Sequence, residues 1–187
     1  RQGTNGPVWA LLALDSHNYP TSGDVTRDKL VDKILSLQMN DGSWYISSTN
    51  RTADVDMTAM AVQALAPYYN TNDAVKTAVD KALTYLSGVQ KADGTFSETA
   101  GGEANSESTA QIVVMLCALG IDPVADARFT KNGVNVLDAL YSFAVTDGGF
   151  KHIASDTVRN GMATEQGFYA LAAYYRLKNG QKFLYDM

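Results

Sequence analysis

The chain has 187 residues, 45% hydrophobic and 19% charged, which is enough apolar mass for one packed domain and too much for a disordered segment. Fifteen basic against twenty acidic side chains give a net charge of -5, which argues against the clustered positive surface that nucleic acid or an anionic membrane requires. The single cysteine, Cys117, excludes an internal disulfide, and the longest apolar run, Ile112–Leu119, is far shorter than the roughly 20 residues that span a bilayer.

In chain order, Pro7–Leu14 opens as a stretch apolar on nearly every face, the pattern of a buried helix. Leu30, Val31, Ile34, Leu35 and Leu37 then share one helical face, with Arg27, Asp28, Asp32 and Lys33 opposite, which predicts a helix with one wet side. Gln38-Met39-Asn40-Asp41-Gly42-Ser43-Trp44 follows, then polar or small residues over 45–53, then a dense apolar stretch, Asp56–Leu65. The cycle repeats. Ala74, Val75, Ala78, Val79, Ala82, Leu83 and Leu86 form a second one-sided stripe, followed by Gln90-Lys91-Ala92-Asp93-Gly94-Thr95-Phe96 and the apolar stretch Glu107–Leu119. A third, worn copy runs through Val136, Leu137, Leu140 and Tyr141, then Asp147-Gly148-Gly149-Phe150, then Ala163–Leu171, with Ala144 where glutamine is expected.

The Asp-Gly pairs at 41, 93 and 147 lie 52 and 54 residues apart, and aligning Thr58, Thr109 and Thr164 superposes the three copies. Such a period marks a repeated supersecondary unit. Alternating all-round-apolar and one-sided helices predict seven helices in two layers, an inner row wrapped by an outer row. Gly42, Gly94 and Gly148 supply tight turns, and Trp44, Phe96 and Phe150 are expected to plug the space between hairpins. Each motif follows an outer helix and precedes an inner one, so the segments 45–53, 97–104 and 151–161 are expected on one rim, around the inner-helix N-termini. A start at Arg1 suggests an excised or processed piece, and residues 1–187 read as one repeat domain.

Gln-x-x-x-Gly-x-Trp at Gln38–Trp44, with its weaker copy at Gln90–Phe96, resembles the repeat signature of squalene and terpene cyclases. With the fifty-odd period, it implies the α/α toroid shared by terpene cyclases, protein prenyltransferase β subunits, transcobalamin-type vitamin carriers and complement thioester domains. About three and a half hairpins fall short of the six or so in closed members, so a partial ring is expected. The organisation is also similar to repeat regions of bacterial secreted or cell-surface proteins, which is the sole basis for expecting that localisation.

Asp54-Val55-Asp56-Met57-Thr58 is similar to the Asp-x-Asp-Asp-Thr of class II terpene cyclases, in which the middle acid protonates an alkene or epoxide. The resemblance makes Asp56 the donor and Asp54 its neighbour, with Met57 in place of the third acid. The residues themselves allow a simpler reading, acids capping a helix N-terminus, and a cap is the outcome expected for Asp56. Glu107 shares the register of Asp56, and Glu165 lies three residues beyond that of the third copy. Such a ring of rim carboxylates could serve a glycosidase or only cap helices. Tyr45, Glu107, His152 and Glu165 are the candidate ligand-binding residues of the rim. Cys117 sits in an apolar run, and His17 and His152 lie in different loops, so no spacing suggests a metal or cofactor site.

These readings favour a non-catalytic ligand-binding or scaffold module, with another domain of the same protein or an apolar, ring-bearing small molecule as partner. A corrinoid-like ligand is the subtype that the vitamin carriers imply. The alternative is a cyclase-like enzyme acting through Asp56. Open ends of a partial ring are expected either to self-associate or to pack together.

Overall fold

The computed structural model describes residues 3–21 and 23–186. Seven α-helices carry it: α1 (Asn5–Asp15), α2 (Arg27–Ser36), α3 (Val55–Leu65), α4 (Asp73–Val89), α5 (Ser106–Ala118), α6 (Val136–Tyr141) and α7 (Gly161–Lys178). The inner helices α1, α3, α5 and α7 pack side by side in that order, and α2, α4 and α6 lie outside α1, α3 and α5 respectively. This is the expected all-α, toroid-type array of three and a half hairpins.

The two layers differ as their sequences do. In α5 every residue from Ser106 to Cys117 except Gln111 is buried, whereas α4 buries only the stripe Val75, Ala78, Val79, Ala82, Leu83 and Leu86. An inner helix touches neighbours on both sides and an outer helix behind, so it can afford almost no polar face. One small departure from pure helix precedes α6. Strands β1 (Thr130–Lys131) and β2 (Val134–Asn135) pair antiparallel across Asn132-Gly133, both at positive φ, as a two-residue hairpin turn requires.

The repeated motif is a hydrogen-bonded joint between outer and inner helices. Gln38 Nε2 donates to the carbonyls of Gly42 (2.9 Å) and Ala78 (2.8 Å), and Gln90 Nε2 does the same to Gly94 (2.9 Å) and Phe129 (3.1 Å). Asp41 and Asp93 each accept from the backbone and hydroxyl two residues on, at Ser43 and Thr95. Gly42 needs its freedom twice over: its φ is +95°, and a Cβ there would lie 2.6 Å from the Lys81 carbonyl oxygen.

The motif aromatics plug the hairpins as expected: Trp44 and Phe96 are 0% exposed and Phe150 3%. Each is tied to the following inner helix by the same pair of bonds. The backbone N–H of Trp44, Phe96 and Phe150 donates to Thr58, Thr109 and Thr164 Oγ1 at 2.9, 3.0 and 3.0 Å. Their carbonyls accept from Asp54, Asn105 and Asn160 N–H at 2.9, 2.9 and 2.8 Å. The Phe150 ring also requires Gly167 in α7, where a Cβ would fall 2.3 Å from it.

The row of inner helices is open at α1 and α7. Trp9 of α1 is 46% exposed, and Met162, Phe168 and Tyr175 of α7 are exposed too. The segment after α7 returns across the inner face, and Tyr185 packs against both Trp9 and Tyr169. The two ends are thus linked through a C-terminal strap rather than by direct helix packing.

Candidate functional site at the inner-helix rim

The rim loops gather as the repeat requires, because each one crosses the N-terminus of the preceding inner helix. Val55 N–H at the start of α3 donates to the Glu98 carbonyl (2.8 Å), and Ser106 N–H at the start of α5 donates to the His152 carbonyl (2.9 Å). Side-chain caps complete the ends. Asp54 Oδ1 accepts from Met57 N–H at 2.7 Å, Asn105 Oδ1 from Ser108 N–H at 2.7 Å, and Asn160 Oδ1 from Met162 and Ala163 N–H at 2.9 and 3.1 Å.

This overturns one expectation. Asp54 is the cap, and Asp56 is not. Two residues into the helix, the Asp56 side chain lies against α5, where its Oδ1 is buried without a hydrogen-bond partner. Burial is the main cause that raises its pKa to about 7, with the negative charges of Asp54, Glu98 and Glu107 adding to it and the nearby Ser108 hydroxyl opposing it. The Ser108 Oγ is itself buried and unpartnered. Asp54 is also raised above the ordinary carboxylate range, by burial first and against the pull of the Met57 N–H. Met57, at the position of the third acid, is buried in the apolar core, where a carboxylate would be strongly disfavoured.

Glu107 occupies the equivalent place on α5. Its Oε2 accepts from Ser106 Oγ at 3.1 Å and lies 2.8 Å from His152 Nδ1, so one proton sits between carboxylate and imidazole. Asp56, Glu98, Asn105, Glu107, His152, Asn160, Met162 and Gln166 line a cavity of about 380 Å³. Seven of these eight lining residues are polar or charged, and three are acids.

The other rim candidates fall elsewhere. Tyr45 is 2% exposed beneath its own loop, with the Arg51 guanidinium 5.3 Å above its ring, and does not line the cavity. Glu165 is exposed and borders a second cavity of about 250 Å³ along the inner face, with Gln63, Gln111, Gln166 and Tyr169. Burial raises the Cys117 thiol to about 12, so it stays a protonated core side chain. Among the described residues, no three His, Cys, Asp or Glu side chains converge on a metal position, and no helix is long and apolar enough to cross a membrane.

Sequence reasoning missed a ladder of amides on the inner face. Gln63 Nε2 donates to Gln111 Oε1 (2.9 Å), and Gln111 Nε2 to Gln166 Oε1 (3.2 Å), linking α3, α5 and α7. Repeat alignment hides it, because Gln63 stands five residues after its threonine and the other two stand two after theirs. It also missed Asn105 and Asn160, which the alignment of Asp56 with Glu107 brings into register with Asp54.

The chain matches no curated protein. Residues 4–147 match the family described as the prenyltransferase alpha-alpha toroid domain, a stretch that runs from the N-terminus of α1 through the third motif's Asp147. Over that stretch lie α1 to α6, both glutamine-anchored joints and the Asp54 and Asn105 caps, and the chain belongs to the prenyltransferase alpha-alpha toroid domain family.

Proposed function

We propose that the domain is a non-catalytic ligand-binding module of a bacterial secreted or cell-surface protein, with its ligand held at the inner-helix rim. The observation that carries this reading is the polar cavity built by successive copies around Asp56, Glu107 and His152. Acceptor-rich walls suit a ligand that brings hydrogen-bond donors, such as peripheral amides on a ring system. The corrinoid-like ligand is of that kind, because its ring is fringed with carboxamide N–H groups. The exposed face of α7 around Phe168 and Tyr175 favours association, with another domain or a second copy, and sedimentation at rising concentration tests it.

Asp56, with its pKa raised to about 7 chiefly by burial, favours a second reading, an acid that protonates an isoprenoid. Against it stand Met57 in place of the supporting acid and the polar wall, which is a poor host for a hydrocarbon. One pair of assays separates the readings. Equilibrium dialysis with cyanocobalamin is expected to retain the coloured ligand on the parent chain and lose it in Glu107→Gln. Incubation with squalene or a prenyl diphosphate is expected to give no product. Product that disappears in Asp56→Asn would replace the first reading with the second.

A further inference from the structure

The inner face holds an aromatic side chain that belongs to no repeat. After α7 the chain reverses, with Gln181 N–H donating to the Arg176 carbonyl (2.9 Å) and Arg176 Nε to the Lys182 carbonyl (2.6 Å). Phe183, Leu184 and Tyr185 then pack, half-buried, on the core, between exposed Lys182 and Asp186. Tyr185 meets Trp9 edge-on at 6.4 Å between ring centroids and 84° between planes, and Tyr169 at 6.2 Å and 51°. Its hydroxyl shares a 2.6 Å hydrogen bond with the Tyr169 hydroxyl.

Tyr185 is also a partition. On one side lies a cavity of about 440 Å³, on the other the one of about 250 Å³, and Leu12, Gln63 and Tyr185 belong to both. Leu12, Gln63, Gln111 and Tyr169 stand on inner helices fixed by core packing, whereas Tyr185 hangs on a segment without helix or strand. Without its side chain the two cavities join into one trough floored by the amide ladder. The Tyr169 hydroxyl would be left without its partner, a place that a ligand hydroxyl can fill.

We infer that the inner face contains a seat for a small hydroxyaryl ligand, between Trp9 and Tyr169, and that the chain's own Tyr185 occupies it as a displaceable internal ligand. The seat matches a phenol in each respect: an indole edge, a tyrosine ring, and a hydroxyl at bonding distance from the ring's own hydroxyl. The inner-face cavity beside the seat meets the rim cavity at Gln166, which lines both, but the seat itself, between Trp9 and Tyr169, does not depend on what the rim binds.

The test uses the two tryptophans of the chain. Trp44 Nε1 donates to the Ile34 carbonyl at 2.7 Å inside the core and serves as a control, while Trp9 borders the seat. The two indole N–H signals are followed by NMR as N-acetyl-tyrosinamide is added to the full chain and to Tyr185→Ala. A saturable shift of the Trp9 signal alone is expected, at least tenfold tighter in Tyr185→Ala than in the parent and at least tenfold tighter than for N-acetyl-phenylalaninamide. No shift in Tyr185→Ala with the Trp44 signal in its parent position overturns the seat. Equal affinities in parent and variant overturn the role of Tyr185. A parent chain that sediments as a dimer, dissociated by Tyr185→Ala, overturns the small-molecule ligand in favour of an exchanged strap. Should Tyr185→Ala unfold, Tyr185→Phe keeps the ring without its hydroxyl. The probe is then expected to bind severalfold tighter than in the parent, and no gain overturns the proposal.

Discussion

The motif joints and the rim are a few residues apart in sequence, yet they have diverged to different degrees. At the joints the three copies keep the same chemistry: Thr58, Thr109 and Thr164 hold the aromatic's N–H at nearly one distance, and the cap residues Asp54, Asn105 and Asn160 hold its carbonyl partner. Two residues into the same helices stand Asp56, Glu107 and Met162, two acids and one apolar side chain, of which Glu107 pairs with His152 and Asp56 Oδ1 with nothing. Joint residues satisfy buried backbone groups, which every copy must do. The side chains two residues on cap no helix end, and so they are freer to differ.

The largest test of that contrast is removal of a plug. Trp44→Ala leaves a cavity and removes the indole N–H bond to the Ile34 carbonyl, which keeps only its bond from Leu37 N–H, and is expected to lower unfolding stability by about 3–5 kcal/mol in a denaturant titration. Melting that hardly changes would mean that Trp44 is no plug.

Asp56 should behave in the opposite way. A carboxyl with a raised folded pKa holds its proton more tightly when folded, so it costs nothing below its ordinary value of 3.8 and costs increasing stability as pH rises to about 7, above which the cost is constant. The difference is on the order of a few kcal/mol. Asp56→Asn is therefore expected to raise stability at pH 8, to change it little at pH 4, and to remove that part of the pH slope. A variant less stable than the parent at pH 8 would show that the ionised carboxylate is held by a partner.

The joint's hydroxyls come next. Thr109→Val keeps the shape but strands the buried Phe96 N–H, and is expected to cost about 1–3 kcal/mol, visible in the melting temperature. An unchanged melting temperature would show that the shared bond is incidental to the joint.

Asp54→Asn is expected to have the smallest effect on stability, within about 0.5 kcal/mol, because asparagine caps as well as aspartate and already does so at 105 and 160. Loss of its charge should still lower the Asp56 pKa, which a carboxyl NMR titration reads directly. An Asp56 titration that stays put would show that the Asp54 charge takes no part in its shift.

The arrangement of helices, the plugs and the gathering of the rim loops were legible in the sequence, because each follows from local periodicity or from a turn motif repeated at a constant interval. The hairpin at Asn132-Gly133 carried its turn signal too, but with strands of only two residues it left no alternation to read. Which of two neighbouring aspartates caps and which keeps its proton could not be read there. Both types favour a helix start, and the decision comes from burial against α5, to which the negative charges of Asp54, Glu98 and Glu107 add. The amide ladder depends on three helices meeting at unequal repeat offsets, and the seat of Tyr185 on a strap with no periodicity at all. Sequence determined what each helix must bury, since that is a property of its own pattern. Tertiary packing decided which polar groups were left facing one another, since their burial and charge come from parts of the chain some fifty residues away.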